Sequence, residues 1–542
     1  MKNVYLFLIL IVGFMPLLKA QQRNYPLNWH ELSFDRDSVC GIELDKAYEF
    51  LKDKTKKQKV IVAVIDGGFD DQHEDLKNVI WINNGEIPDN RIDDDKNGYV
   101  DDIHGWNFLV TKEGKPVLHT MKDAAKLFLQ KKDRFDQLSG KIRNAKEEKE
   151  YQELRSLFEK SELGLKYLSI EMTKIMKGYV EGFDREMRAK FPGEELTHKH
   201  FNAILNVHGE TDTLKMTTHM FYNMMWDMQS WASWDNMFAR RFKSIEMAEQ
   251  DYEKALNSQQ DDRSLVGDNM ENLKDRKYGS PVLISENSEH GTHVAGIIGA
   301  ERGNGIGIDG VADHIFLMLL GAVPQGDEND KDIALAIRYA VDNGAKIINM
   351  SFGKFVSIHP EWVKDAMRYA EKKGVLLVRG AGNAFKNIDQ EVFYPDKHIS
   401  AKRTLGNLLT VGASDQDGNP VLYTNYSQKE VDLFAPGADI YSTTPGDNYK
   451  KMGGTSMASP VVAGVAALLM TYYPELTVGE VKDILIQTAV TRKGVEVQKP
   501  RDPHLVTSGE KVSFSELCVA GGIVDAWEAL KLADVIVSRK SK

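Results

Sequence analysis

The chain has 542 residues, room for about two to four domains; its 42% hydrophobic and 27% charged content is ordinary for a globular protein with a large core. A formal charge of −11 argues against a nucleic-acid partner, because phosphate binding needs a basic surface. Two cysteines, Cys40 and Cys518, exclude a disulfide scaffold; in an exported chain they can pair or remain separate thiols.

At the N-terminus, Lys2 precedes an apolar run from Val4 to Leu18 that Pro16 interrupts. A bilayer span needs about 20 apolar residues. The run therefore reads as a signal peptide over residues 1–20, cleaved near Ala20. The protein is expected to be secreted or periplasmic, with no stable membrane span once cleaved. Residues 21–58 form an N-terminal arm with one amphipathic helix from Ile42 to Lys52. The stretch from Lys59 to Ile65 is nearly all apolar and β-branched, as in a parallel strand buried on both faces. It delivers Asp66 at its carboxyl end, where open α/β sheets hold their active groups.

Asp93, Asp95, Asn97, Tyr99 and Asp101 follow in a D-x-D-x-N-G-Y-x-D pattern, with Gly98 at the turn. This spacing offers side-chain oxygens at loop positions 1, 3, 5 and 9 and a backbone carbonyl at 7, the front half of a Ca²⁺ loop. His104 stands where an EF-hand needs a bidentate Glu, so an EF-hand proper is excluded. A looser structural Ca²⁺ site, helped by Asp94 or Asp102, and a solvated Asx-rich turn are both open readings. Residues 112–279 are helical in pattern, with charged, Pro-free stretches suited to solvated helices. Within them Met220, Met224 and Trp231 fall on one helical face. They read as a core stripe or as a plastic surface covering a cleft.

From Val311 onward helix and strand patterns alternate, which means a parallel sheet with helices on both faces. Helices are expected at Ile333 to Gly344, at Glu361 to Gly374 and after Ser456. Strands are expected at Lys346 to Ser351, Val375 to Asn383 and Leu408 to Ser414. Two further motifs stand out: HGTHVAG from His290 and GTSMASP around Ser456. A serine hydroxyl is a poor nucleophile at neutral pH. It needs an imidazole to take its proton and a carboxylate to orient the imidazole. Asp66, His290 and Ser456 supply these groups. Ser456 lies on a Gly-rich turn entering a helix, with Pro460 expected in the first turn and free backbone N–H groups nearby. His290 and His293 at i and i+3 also invite a metal reading, but no further ligand stands at zinc spacing.

Together these motifs resemble the subtilisin-like serine proteases, the subtilases. The resemblance covers about Lys59 to Asn107 and Ser280 to Tyr473, and more weakly the C-terminal GGIVDAWEALKLA. It implies a subtilisin-like parallel α/β sheet carrying a mainly helical insertion: a catalytic domain in two parts, 59–111 and 280–535, the insertion at 112–279 and a tail at 536–542. It implies a serine endopeptidase acting on protein or peptide substrates, with no cofactor needed for the chemistry. His293 is then a packing residue. Asn383, in RGAGN, is the implied oxyanion donor. Ser351, Phe352 and Gly353 are the implied substrate-pairing edge. The specificity pocket is expected between that edge and Gly380, Ala381 and Gly382, with Phe393 shortening it in favour of a small or medium residue. Gly67 departs from the Ser or Thr the family more often carries after the aspartate. An inactive scaffold on the same fold, or an enzyme kept latent by its insertion, are the alternatives.

Overall fold

The computed structural model describes residues 25–541 except 112, 129, 131–143, 160–161, 205–211, 230–232, 239–242, 244–246, 248–249, 251–261, 401 and 504–508. The expected signal peptide and Trp231 lie outside the described residues. Nine strands form one sheet: β1 (Val60–Asp66), β2 (Gly105–Asn107), β3 (Ile315–Gly321), β4 (Ile347–Met350), β5 (Leu376–Gly380), β6 (Leu408–Ser414), β7 (Leu433–Pro436), β8 (Val490–Thr491) and β9 (Gly522–Ile523). Their spatial order is β8-β9-β7-β6-β5-β4-β1-β3-β2. All neighbours run parallel except β8 and β9.

The period-2 geometry of a strand sends alternate side chains to opposite layers. Val60, Val62 and Val64 enter one apolar layer, Ala63 and Ile65 the other. This is why β1 is apolar throughout rather than alternating. The helices are α1 (Leu44–Leu51) in the arm; α2 (Ala145–Glu159), α3 (Glu162–Lys190), α4 (His198–Ile204) and α5 (Thr213–Gln229) in the insertion; then α6 (Ser288–Gly299), α7 (Asp330–Asp342), α8 (Pro360–Lys372), α9 (Thr455–Tyr472), α10 (Val478–Gln487) and α11 (Ala526–Lys540). The first layer holds residues of α1, α6, α9, α10 and α11, and the second those of α7 and α8. β1 lies between β3 and β4, where the strand order reverses. Carboxyl ends at such a switch point open a crevice that loops cannot close.

The N-terminal arm packs onto the core: Trp29, Ile42, Leu44, Ala47 and Leu51 are buried in the first layer. Two boundaries differ from the sequence reading. The 536–542 tail is mostly helix, since α11 runs to Lys540 and Val537 is buried. Val117, Val266 and Tyr278, at the two ends of the 112–279 stretch, pack with Trp106 and Phe108 in the second layer. The middle of the insertion has its own core of Phe183, Phe201, Trp226, Trp234 and Met237. Met220 is 68% exposed, which contradicts the core-stripe reading for this residue but not the surface one. Thr218, Tyr222 and Trp226 occupy the inward stripe of α5 instead, and the 3.6-residue period turns Met220 outward. Cys40 and Cys518 are both free and buried, which removes the pairing alternative.

Candidate active site

The carboxyl end of β1 places Asp66 in the crevice, 2% exposed. Gly67 N–H donates to its Oδ1 at 2.8 Å. His290 stands in the first turn of α6, and its Nδ1 lies 2.8 and 2.9 Å from the two Asp66 oxygens. A carboxylate only accepts, so Nδ1 carries the proton and Nε2 is the nitrogen left to accept one. Gly291 makes this approach possible: a Cβ there would lie 2.2 Å from the Gly68 carbonyl and 3.1 Å from Asp66 Cβ. His293, one turn on, is fully buried. Its Nε2 donates to the carbonyls of Ile440 and Lys450 at 3.1 and 3.0 Å, and burial pulls its pKa down to about 4. It packs α6 against the antiparallel ribbon of Ile440–Thr444 and Asn448–Met452.

Ser456 is the second residue of α9. The helix begins at Thr455, so Pro460 lies in its second turn, not its first. A proline there has no N–H for the Ser456 carbonyl four residues back. Ser351 Oγ fills that vacancy by donating to the Ser456 carbonyl at 2.9 Å. Ser456 Oγ in turn donates to the Ser351 carbonyl at 3.1 Å. The two serines therefore join the carboxyl end of β4 to the start of α9. Asn349 Nδ2 and Ser459 Oγ lie 2.9 and 3.0 Å from Ser351 Oγ. Sequence reasoning missed both, although Ser459 is a polar residue within the apolar α9 pattern.

Asn383 follows β5. Its Oδ1 accepts from Thr455 N–H at 3.0 Å, which orients the amide so that Nδ2 can donate toward the cleft. Thr455 Oγ1 accepts from Gly382 N–H at 3.0 Å. Thr455 was also missed; it ties the post-β5 turn to the start of α9. Ser351, Phe352, Gly353, Gly380, Gly382, Asn383, Phe393 and Ser456 line one cleft of about 540 Å³. Ala381 is fully buried behind it. The Phe393 ring lies between its two walls. A Cβ added to Gly353 or to Gly382 would come within 2.6 Å of that ring.

The acidic loop is arranged differently from its sequence pattern. Asp101 turns away and accepts from the N–H groups of Asn90 and Arg91 at 3.2 and 2.9 Å. Asn97 presents its amide nitrogen, not its oxygen, to Asp95 and Asp102, at 3.0 Å each. The Tyr99 ring is buried against Trp106 and Tyr339. Asp93 gives Oδ2 to Gly98 N–H at 3.0 Å, while its Oδ1 is buried without a partner. The carboxylates that converge are those of Glu86, Asp95 and Asp102, within 4.8 Å of one another. Glu86 comes from outside the motif, so no motif spacing could reveal it.

The profile of peptidase S8, the subtilase family, matches residues 57–509, and the chain belongs to that family. A thermophilic serine proteinase of Bacillus sp. strain AK1 is 43% identical over 183 residues, covering 34% of this chain and 42% of that protein. Subtilisin DY of Bacillus licheniformis is 35% identical over 207 residues, covering 38% of this chain and 72% of its own. The major intracellular serine protease of Bacillus subtilis is 38% identical over 210 residues, covering 38% and 62%. The chain thus spans less than half of the first of these relatives. Among solved structures, the prenylagaramide maturation protease PagA matches at 26% identity and a TM-score of 0.37, covering 45% of this chain and 82% of that one.

Proposed function

We propose that the protein is an exported serine endopeptidase that cleaves peptide bonds through an acyl-enzyme. The observations that carry this reading are the Asp66–His290 pair, which joins β1 to α6, and Ser456 at the start of α9, which lines the cleft together with the Ser351–Gly353 edge and Asn383. Ser456 Oγ would turn from the Ser351 carbonyl to His290 Nε2, give up its proton and attack the substrate carbonyl. Asn383 Nδ2 and the open N–H groups at the start of α9 would hold the oxyanion. His290 would pass the proton to the leaving amine, and water would then release the acyl group. Labelling by a fluorophosphonate probe tests this: native protein should label, and Ser456→Ala should not. An unlabelled native protein would favour the inactive scaffold, and labelling only after limited proteolysis would favour latency.

Burial disfavours the His290 cation, but the charge of Asp66, its hydrogen bond and Glu289 outweigh burial and hold the pKa above 6.5. Only neutral imidazole accepts the serine proton. Activity should therefore rise with pH through a midpoint above 6.5. In Asp66→Asn the acid limb should move down as kcat falls by about 10⁴. An acid limb that stays in place in this variant would contradict the arrangement.

The loop supports a structural Ca²⁺ site held by Glu86, Asp95 and Asp102. Asp102 is fully buried. Burial pushes its pKa up to about 6, against hydrogen bonds from Tyr339, Asn97 and Asn83 that lower it. The unpartnered Asp93 Oδ1 lies in the same loop. A hard cation with carboxylate ligands suits such a set and would brace the loop beside β2. Chelation by EDTA should lower the melting temperature, and Ca²⁺ should restore it. An unchanged melt leaves only the solvated turn.

A further inference from the structure

Lys354 follows the Ser351–Gly353 edge and is 4% exposed. Its backbone pairs with Tyr394, N to O at 3.1 Å and O to N at 2.7 Å. Its side chain leaves the edge and crosses to other segments. Nζ donates to Asp123 Oδ2 at 2.5 Å and to the Glu328 carbonyl at 2.6 Å, and lies 3.0 Å from Asp330 Oδ1. Removing an ammonium from water costs several kcal/mol unless anions replace the water. The carboxylates here come from two segments: Glu328 and Asp330, before and at the start of α7, and Asp123 from the first residues of the helical insertion.

Asp123 is itself held in place. Its N–H donates to Asp327 Oδ2 at 2.9 Å. Thr120 Oγ1 donates to the Asp327 carbonyl at 2.6 Å. Just before it the chain lies beside Gln325, with Gln325 N–H to the Leu118 carbonyl at 2.7 Å and Thr120 N–H to the Gln325 carbonyl at 2.8 Å. The chain leaving the insertion is anchored on the same segment. Arg263 forks onto both Asp332 oxygens at 2.7 Å. Tyr278 OH donates to Asp332 Oδ1 at 2.6 Å, and Lys331 pairs with Asp268. Arg263, Lys331 and Asp332 are all fully buried. Both roots of the insertion are thus fixed to residues 325–332, and Lys122 and Ala124 from its first root line the cleft that holds Ser456.

We propose that the root of the helical insertion is a fixed wall of the substrate cleft, and that the Asp123–Lys354 ion pair is a positioning device that sets the substrate-pairing edge from that wall. The proposal rests on the endopeptidase reading above. It makes the insertion part of how an extended peptide is held. An extended peptide adds to the edge as a strand, through backbone hydrogen bonds whose geometry depends on where Gly353 and Lys354 sit. A small activated ester touches only the triad and the oxyanion donors, and does not sense that placement.

The test uses the full chain and two substrates, a tetrapeptide amide that spans the edge and a minimal acyl ester. In Asp123→Asn, kcat/KM for the tetrapeptide should fall about ten- to a hundredfold, mainly through KM, as small misplacements do. The ester's kcat/KM should stay within about twofold. Lys354→Met leaves buried carboxylates without their cation and should melt lower. Adding Asp123→Asn to it should restore part of the melting temperature but not the tetrapeptide KM, which separates positioning from stability. The proposal is overturned if folded Asp123→Asn handles the tetrapeptide as the native protein does, or if both substrates lose equally. Failure of the endopeptidase reading looks different: the native protein would turn over neither substrate.

Discussion

Ser456→Ala should lower kcat on a peptide substrate by about six orders of magnitude while leaving the fold intact. A loss of about 2 × 10⁶ was measured for the same change in subtilisin, a member of this family, and is quoted for scale. The size follows from the chemistry. Without the hydroxyl there is no acyl-enzyme, and water must attack directly. The residual rate comes from what remains, Asn383 and the open N–H groups of α9, worth about 10³–10⁴ over water. Structurally the change is mild. Ser456 is only partly buried, and its hydroxyl makes one hydrogen bond, to the Ser351 carbonyl at 3.1 Å. The backbone links from Thr455 to Asn383 and from Ser351 to the Ser456 carbonyl do not use that hydroxyl. Stability should therefore shift by no more than about 0.5 kcal/mol. Stopped-flow or progress-curve kinetics beside a thermal melt decide the matter. A loss smaller than about a thousandfold in a folded variant would mean that another nucleophile does the work.

Phe393→Gly should change which bond is cut rather than whether one is cut. The ring fills the gap between Gly353 and Gly382, meets Phe355 at a tilt with centroids 5.0 Å apart and lies under the Arg379 guanidinium at 5.3 Å. On the endopeptidase reading, the pocket with the ring in place should suit a small or medium residue before the scissile bond. Without it, the space between the two glycines should take an aromatic side chain. Discrimination in an apolar pocket runs at about 10–200-fold per methylene-sized mismatch. Cleavage after Phe or Tyr should therefore rise by about two orders of magnitude relative to cleavage after Ala. Removing a buried aromatic ring costs about 3–5 kcal/mol in a closed core; the cost here should be smaller, because the cavity opens into the cleft. A peptide library read by mass spectrometry gives the profile. Strong cleavage after aromatic residues by the native protein would refute the assignment of Phe393.

Much of this was legible in the sequence because the information is local. β1 reads as a doubly buried strand since every residue from Val60 to Ile65 is apolar, and Asp66 ends it at the only place a strand can expose a carboxylate to the crevice. His290 and Ser456 sit in motifs whose turns and glycines define helix starts. The rest depends on partners distant in sequence. Nothing near Lys354 says that Asp123 will meet its ammonium, and nothing in the D-x-D-x-N pattern says that Glu86 will lie beside Asp95 and Asp102. Pro460 shows the same limit: its place in α9 makes sense only once Ser351, 105 positions before Ser456 in the chain, supplies the missing donor to the Ser456 carbonyl. Met220 failed for a simpler reason, a phase error along a helix with apolar residues on more than one face.

The order of the sheet also bears on when the enzyme can come into being. β1 pairs with residues 315–321 on one side and 347–350 on the other, while α9, which carries Ser456, packs across β4, β5 and β6. Such long-range parallel pairing folds slowly, because loop closure precedes the contacts that reward it. In chain order β1 precedes α9 by almost 400 residues, so a growing polypeptide holds Asp66 long before Ser456. On the endopeptidase reading, a nascent chain that still lacks α9 has no nucleophile and cannot digest itself or its neighbours.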